Sequence, residues 1–252
     1  MQPMSDGLTP AMRRLWERTE RVQAGGEPRR GLSLERIVAA GVELADAEGL
    51  SAVSMARVAR RVGFTTMSLY RHVEGKDELL ELMADAATGE PPALDPAAGW
   101  RAGLELWSRS LVAALLLHPW FLDVPITGPP RTPGRVAWFE RGLEALAETR
   151  LSEVEKAGVI LLVNGSAFWE VRVMVEVGAA ARAHGTSPER ETAEYGAALS
   201  ALIAPERFPH LRRALDAGIF EDDVDDFAFG LELALDGVER LVERRAAEAG
   251  GG

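Results

Sequence analysis

An all-α fold is predicted for this chain, and two observations predict it. Residues 54–76, SMARVARRVGFTTMSLYRHVEGK, hold two short helical patterns joined by a tight turn, the layout of a helix-turn-helix. From about residue 96 onward, apolar residues recur at helical spacing in successive segments bounded by Pro, Gly and capping residues. The chain then divides into an N-terminal extension at 1–31, a three-helix unit at 32–83 and a larger helical region at 84–252.

Taken in order, a short helix is expected from Pro10 to Val22, followed by the punctuation Gly25-Gly26-Glu27-Pro28-Arg29-Arg30-Gly31. Ser33 is placed to cap the first helix of the three-helix unit. Ser54 caps the next, in which Met55, Val58, Ala59 and Val62 share one face. Gly63 then tolerates the left-handed C-cap geometry, Phe64 offers an apolar plug for the turn, and Thr65 caps a second helix starting near Thr66. With Leu69 and Val73 inward beside Phe64, the side chains of Thr66, Met67, Ser68, Tyr70, Arg71 and His72 point mostly outward. Hydroxyls, an aromatic ring and a cation on one face suit phosphates and base edges.

Charge follows the same division. Segment 54–76 carries Arg57, Arg60, Arg61, Arg71 and Lys76 against Glu74, in a protein of net charge −11. Residues 1–83 are neutral overall, so the whole excess of acid lies in 84–252, a body that repels DNA and leaves the basic end to dock. Arg29 and Arg30 are either a basic arm for the minor groove or two solvated linker residues. With 252 residues, 47% of them apolar, a sizeable core can form. There is no Cys, which removes disulfides and thiolate metal sites. No apolar run is expected to reach membrane-spanning length and the N-terminus lacks a signal-peptide core, so a cytoplasmic protein without membrane contact is the simplest expectation.

Residues 34–83, LERIVAAGVELADAEGLSAVSMARVARRVGFTTMSLYRHVEGKDELLELM, closely resemble the DNA-binding region of the TetR (tetracycline repressor) family. The likeness rests on the Ala47-Glu48-Gly49-Leu50 turn, the Val58-Ala59 and Val62-Gly63 pairs, and Leu69-Tyr70, His72-Val73 and Gly75-Lys76-Asp77-Glu78-Leu79-Leu80. It implies an all-helical homodimer that places each N-terminal domain in a major groove of double-stranded DNA. It further implies a C-terminal ligand-binding and dimerisation domain whose small-molecule effector controls DNA affinity. Within the matched segment, Ser54, Thr65, Thr66, Met67 and Ser68 would approach bases or flanking phosphates, and Tyr70, His72 and Lys76 would grip the backbone. Arg71 stands where the family often has an aromatic residue. It makes either a bidentate contact to guanine, worth roughly 1–3 kcal/mol of discrimination, or a phosphate contact.

In the C-terminal region, helices are expected near 96–118, 134–149, 152–184, 188–204, 206–217 and 222–247, with Ser152 and Glu155 forming a capping box. The loop Pro125–Pro130 is expected to fold over the domain interior. Along the last helix, Val224, Phe227, Leu231, Ala234 or Leu235, Val238 and Leu241 form an apolar seam for another helix, in the same subunit or a second one. Its text FGLELALDGVERLV resembles the closing dimerisation helix of the tetracycline repressor, which implies a four-helix bundle between subunits made with part of helix 152–184.

Trp100, Trp107, Trp120, Trp138 and Trp169 crowd between residues 100 and 169 with Phe121, Phe139 and Phe168, as a structural core or as walls for a planar hydrophobic ligand. Comparison with the tetracycline repressor implies that Trp107, Leu111, Trp138, Arg141, Leu161 and Asn164 occupy pocket positions, with Phe168 one turn further. Where that repressor holds drug-bound magnesium with His and Glu, this chain has Pro125 and Val173, so neither a metal nor any other cofactor is expected. Arg141, Asn164 and Arg172 become candidates for a ligand's oxygen atoms. No GxSxG, Walker, GxGxxG or HExxH motif is present, and His72, His118, His184 and His210 are scattered. The expectation is a ligand-responsive regulator and not an enzyme, most simply a repressor released from a palindromic operator by a hydrophobic aromatic molecule. An activator, or a ligand sensor with little DNA affinity, is the alternative on the same fold, and a small-molecule-modifying enzyme is a more distant one.

Overall fold

The computed structural model describes residues 8–23, 31–221 and 225–250, and among them all regular structure is helical. Helix α1 spans Pro10–Gln23, and α2 (Leu34–Glu48) begins where the Ser33 side chain accepts from the Arg36 N–H. The helix-turn-helix consists of α3 (Met55–Val62) and α4 (Thr66–Leu69). Ser54 accepts from Arg57 N–H, Gly63 adopts φ 78°, and Thr65 accepts from Ser68 N–H, so all three local capping expectations hold. The second helix is shorter than its sequence pattern, closing after one turn into bonded turns through His72 and Val73.

Met55, Val58, Ala59, Leu69 and Val73 are buried, as their spacing requires. Phe64 is not: it is 40% exposed, and its ring lies 5.8 Å from the Arg36 guanidinium carbon. The turn is held instead by the Phe64 N–H bonding Ala59 O, which leaves the ring free to face outward.

Helix α5 (Lys76–Thr88) runs unbroken across residues 83 and 84, from the helix-turn-helix unit into the larger region. It packs on α2, where a Cβ on Gly41 would stand 2.6 Å from the Met83 sulfur and would force that buried side chain to shift. The larger region comprises α6 (Gly99–Leu117), α7 (Pro133–Ala145), α8 (Glu153–His184), α9 (Pro188–Leu202), α10 (Pro209–Asp216) and α11 (Asp226–Gly250). The Ser152/Glu155 capping box starts α8 as expected.

One expectation is corrected here. Helix α8, with 32 residues and a window of mean hydropathy 1.4, is long and apolar enough to cross a membrane by length and composition. Residues 157–169 carry no charge, and Asn164, Gly165 and Ser166 interrupt the run without offsetting its apolar residues. In this fold α8 packs against α6, α7, α9 and α11. The seam of α11, open in the sequence to its own subunit or a second one, is covered from its own subunit. Phe227, Leu231, Leu235 and Val238 are buried within the same subunit, in the core shared with Val159, Val163, Ala167 and Val171 of α8. Val224 lies outside the described residues. What α8 and α11 leave exposed is a different apolar set, including Leu162, Trp169, Phe229 and Leu233.

Candidate nucleic-acid interface and ligand cavity

On the helix-turn-helix, Met67 is 70% and Tyr70 52% exposed, and Thr65, Arg71 and Lys76 are exposed beside them. Thr66, Ser68 and His72 are half-buried. The Thr65 and Ser68 hydroxyls lie 3.0 Å apart, so each orients the other. Partial burial, with Arg14 and Arg71 nearby, holds His72 below its usual pKa range; at pH 7 its ring is neutral and keeps one N–H to donate. Ser54 is half-buried and its hydroxyl oxygen accepts the Arg57 N–H as a helix cap, which leaves its O–H free to donate near the surface. Arg29 and Arg30 lie outside the described residues.

The basic cluster is smaller than its composition suggests. Arg57 pairs with Glu48 at 2.6 Å and Arg61 with Glu43 at 2.8 Å, both partners coming from α2. Among the described residues, Arg60, Arg71 and Lys76 have no ion pair and are the cations of segment 54–76 that stay unpaired. The acidic partners were legible only as a neutral total for residues 1–83.

In the larger region, α5, α6, α7 and α8 enclose a cavity of about 430 Å³ beneath the Val124–Pro130 loop. Trp107 and Trp138 meet edge to face at 5.9 Å, and Phe121 and Phe168 at 5.8 Å. Leu111 and Asn164 line the same space, with Leu161 at its rim, 72% exposed. Six of the seven predicted pocket residues are therefore brought together. Arg141 is the exception: it lies away from the cavity lining and pairs with Glu144 at 2.5 Å on its own helix. Arg172 is likewise engaged elsewhere, donating to Leu122 O and pairing with Glu176. Trp169 is 68% exposed and stands outside the aromatic cluster. Pro125 does line the cavity, and among the described residues no group of three metal-ligating side chains gathers.

The cation that lines the cavity is Arg135, which the sequence reading missed. It sits in the first turn of α7, where the backbone N–H of Arg135 donates to the Asp85 carboxylate of α5 at 2.9 Å. Burial pushes the Asp85 carboxyl above its ordinary pKa, against the opposing pull of Thr132, the Arg135 and Gly134 N–H groups and the Arg135 charge. The contact is close enough that a Cβ on Gly134 would stand 2.9 Å from the Asp85 oxygen. In the opposite direction, Trp138 of α7 donates its indole N–H to Thr88 O and Gly89 O, at the C-terminal end of α5. Each helix thus satisfies the other's unpaired end groups.

Two further links cross between the regions. The Asp46 carboxylate of α2 accepts from Trp120 Nε1 at 2.6 Å and lies 2.7 Å from His118 Nδ1, and Phe121 next in sequence lines the cavity. Arg14 of α1 donates to His72 O beside the helix-turn-helix, Thr9 just before α1 bonds Glu78 of α5, and Trp16 of α1 donates to Arg131 O at the foot of the cavity loop.

An exposed helix-turn-helix joined by one helix to an aromatic cavity defines a class, that of DNA-binding regulators with a separate small-molecule domain. Residues 37–83 match the bacterial regulatory proteins of the tetR family, and residues 91–242 match the tetracyclin repressor-like C-terminal domain. The HTH-type transcriptional repressor DrrR1 of Streptomyces coeruleorubidus is 35% identical over 249 residues, 97% of this chain and 90% of that protein. The Streptomyces coelicolor TetR family protein ActR in complex with actinorhodin has TM-score 0.71 at 25% identity, over 85% of this chain and 98% of that one. ActR in complex with (S)-DNPA has TM-score 0.69 at 26% identity, over 84% and 99%. The chain belongs to the TetR family of transcriptional regulators.

Proposed function

We propose that this regulator is a homodimeric repressor that holds a palindromic operator through the Thr65–Lys76 segment and releases it when a hydrophobic aromatic molecule enters the cavity. The observation that carries the reading is α5: its first turn follows the recognition segment, and its last residues are capped by the cavity tryptophan, Trp138. A ligand that displaces Trp138 has differential contact with two positions of α5, which is what a population shift requires. The relative DrrR1 is a transcriptional repressor, and the structural neighbour ActR forms a complex with actinorhodin. The regulator acts in the cytoplasm, where the DNA is, and its chemistry is binding, not catalysis.

Dimerisation is assigned to α8 and α11. Between them runs a groove floored by Gly158 and Gly237, where an added Cβ meets nothing within 4 Å, and flanked by Leu162, Leu233 and Leu241. An uncovered apolar groove of two long antiparallel elements suits the same pair from a second copy.

The test is fluorescence anisotropy of the purified protein on its own upstream DNA and on random duplexes across salt concentrations. Selective binding that a cavity ligand reverses supports the repressor. Equal weak binding to every duplex, unaffected by ligand, overturns it.

A further inference from the structure

We infer that the effector carries an acidic oxygen, a carboxylate or an ionised phenol, which Arg135 receives. The inference rests on the cavity being the effector site.

Among the lining side chains, those bearing nitrogen or oxygen are Thr88, Trp107, Arg135, Trp138 and Asn164. Three are already committed. Trp107 Nε1 donates to Trp138 O at 2.9 Å, Trp138 Nε1 donates to Thr88 O and Gly89 O, and the Thr88 hydroxyl donates to Asp85 O at 2.9 Å. Arg135 and Asn164 remain, with no side-chain hydrogen bond or ion pair among the described residues. Their chemistry differs. Asn164 offers a neutral amide that both donates and accepts, whereas the guanidinium only donates and is always charged.

Asp85, the acid on which the Arg135 charge acts, forms no ion pair with it. Asp85 is drawn on by backbone N–H groups at the start of α7, and its oxygens stand beyond ion-pair distance of the guanidinium. A neutral aromatic ligand closing over Arg135 would strip water from an unpaired cation, which opposes binding. A ligand oxygen bearing negative charge turns that cost into a charge-assisted hydrogen bond, two if the group is a carboxylate. The cavity therefore selects for a flat apolar body with one acidic group, and Asn164 is left for a carbonyl or hydroxyl.

The probes are 9-anthracenecarboxylate and its neutral isostere 9-anthracenecarboxamide, titrated at pH 7.5 into the full-length protein while quenching of tryptophan fluorescence is followed. The acid is expected to bind at least tenfold tighter than the amide. In Arg135→Gln the acid is expected to fall to the level of the amide, with the amide unchanged; circular dichroism checks the fold, and the Asp85 bond survives because it uses the backbone. In Gly165→Trp, which fills the cavity rim from a position whose Cβ meets no atom within 4 Å, both probes are expected to lose binding. Equal affinity of acid and amide, with both lost in Gly165→Trp, overturns the acidic group and leaves the cavity reading standing. A preference for the acid that persists in Arg135→Gln also overturns it. Binding of both probes that Gly165→Trp does not affect, or no binding at all, overturns the cavity reading and the inference together.

Discussion

Arginines of one type, a few residues apart, are set to different tasks by what stands beside them. Arg57 and Arg61 are tied to Glu48 and Glu43, while Arg71 is exposed and unpaired. Arg71→Ala is therefore expected to weaken operator binding and reduce the log–log salt slope by about 1, whereas Arg57→Ala leaves the slope unchanged, as read by anisotropy titration. Asp85 carries a similar lesson for stability. Asp85→Ala removes the cap from α7 and is expected to cost about 1 kcal/mol in urea unfolding, in the range typical of lost helix caps. Gly134→Ala is expected to act in the same direction, because its methyl group displaces the same carboxylate. The cap at Ser54, the left-handed Gly63 and the cap at Thr65 were all legible in the sequence, since each acts within four residues of itself. Arg135 was not, because the carboxylate that fixes its helix lies 50 residues away.

Between elements, contacts of long sequence separation decide the arrangement, and local patterns do not report them. The helical pattern of Pro10–Val22 was readable, but its docking through Trp16 onto Arg131, 115 residues on, was not. Trp16→Phe keeps an aromatic side chain but removes that hydrogen bond and part of the indole's bulk. It is expected to lower the melting temperature by about 2–4 °C, corresponding to roughly 1 kcal/mol in a chain of this size. At the other end of the larger region, the Arg245 guanidinium of α11 and the Ser152 N–H and hydroxyl hold the Glu155 carboxyl down at about 2, from an ordinary 4.5. Since the folded value is the lower one, the pairing favours folding above pH 4.5 and its contribution is lost as pH falls toward about 2. The gap in melting temperature between wild type and Glu155→Gln is expected to be full at neutral pH and to close over that window, followed by circular dichroism. The seam of α11 shows the limit of periodicity: repeats of three and four announce that an apolar face is covered, not by which helix. Here α8 of the same chain covers Phe227, Leu231 and Leu235.

For the molecule as a whole, the excess of acid in residues 84–252 opposes contact of the body with DNA, and on the proposed dimer the groove along α8 and α11 is the surface for a second copy. Leu162→Glu with Leu233→Glu, both more than half exposed in the single chain, is expected to give a folded monomer in sedimentation and to abolish tight operator binding. Retention of the dimer would place the interface elsewhere. The division into a DNA-binding unit and a helical body was readable because each has its own motif, while the links between them, Asp46 to Trp120 and α5 to α7, emerge only when the chain is folded. Those reciprocal caps bear on how such a regulator changes its chemical allegiance over generations. Replacing Trp138 alters a wall of the cavity and frees the end of α5 in the same stroke, so on the proposed mechanism a variant selected for a new effector at that position is expected to inherit a disturbed grip on DNA. Leu111, Leu161 and Asn164 line the cavity without such a second duty, and on the proposed mechanism divergence of ligand preference, or deliberate retuning of this protein as a biosensor, is expected to run through them.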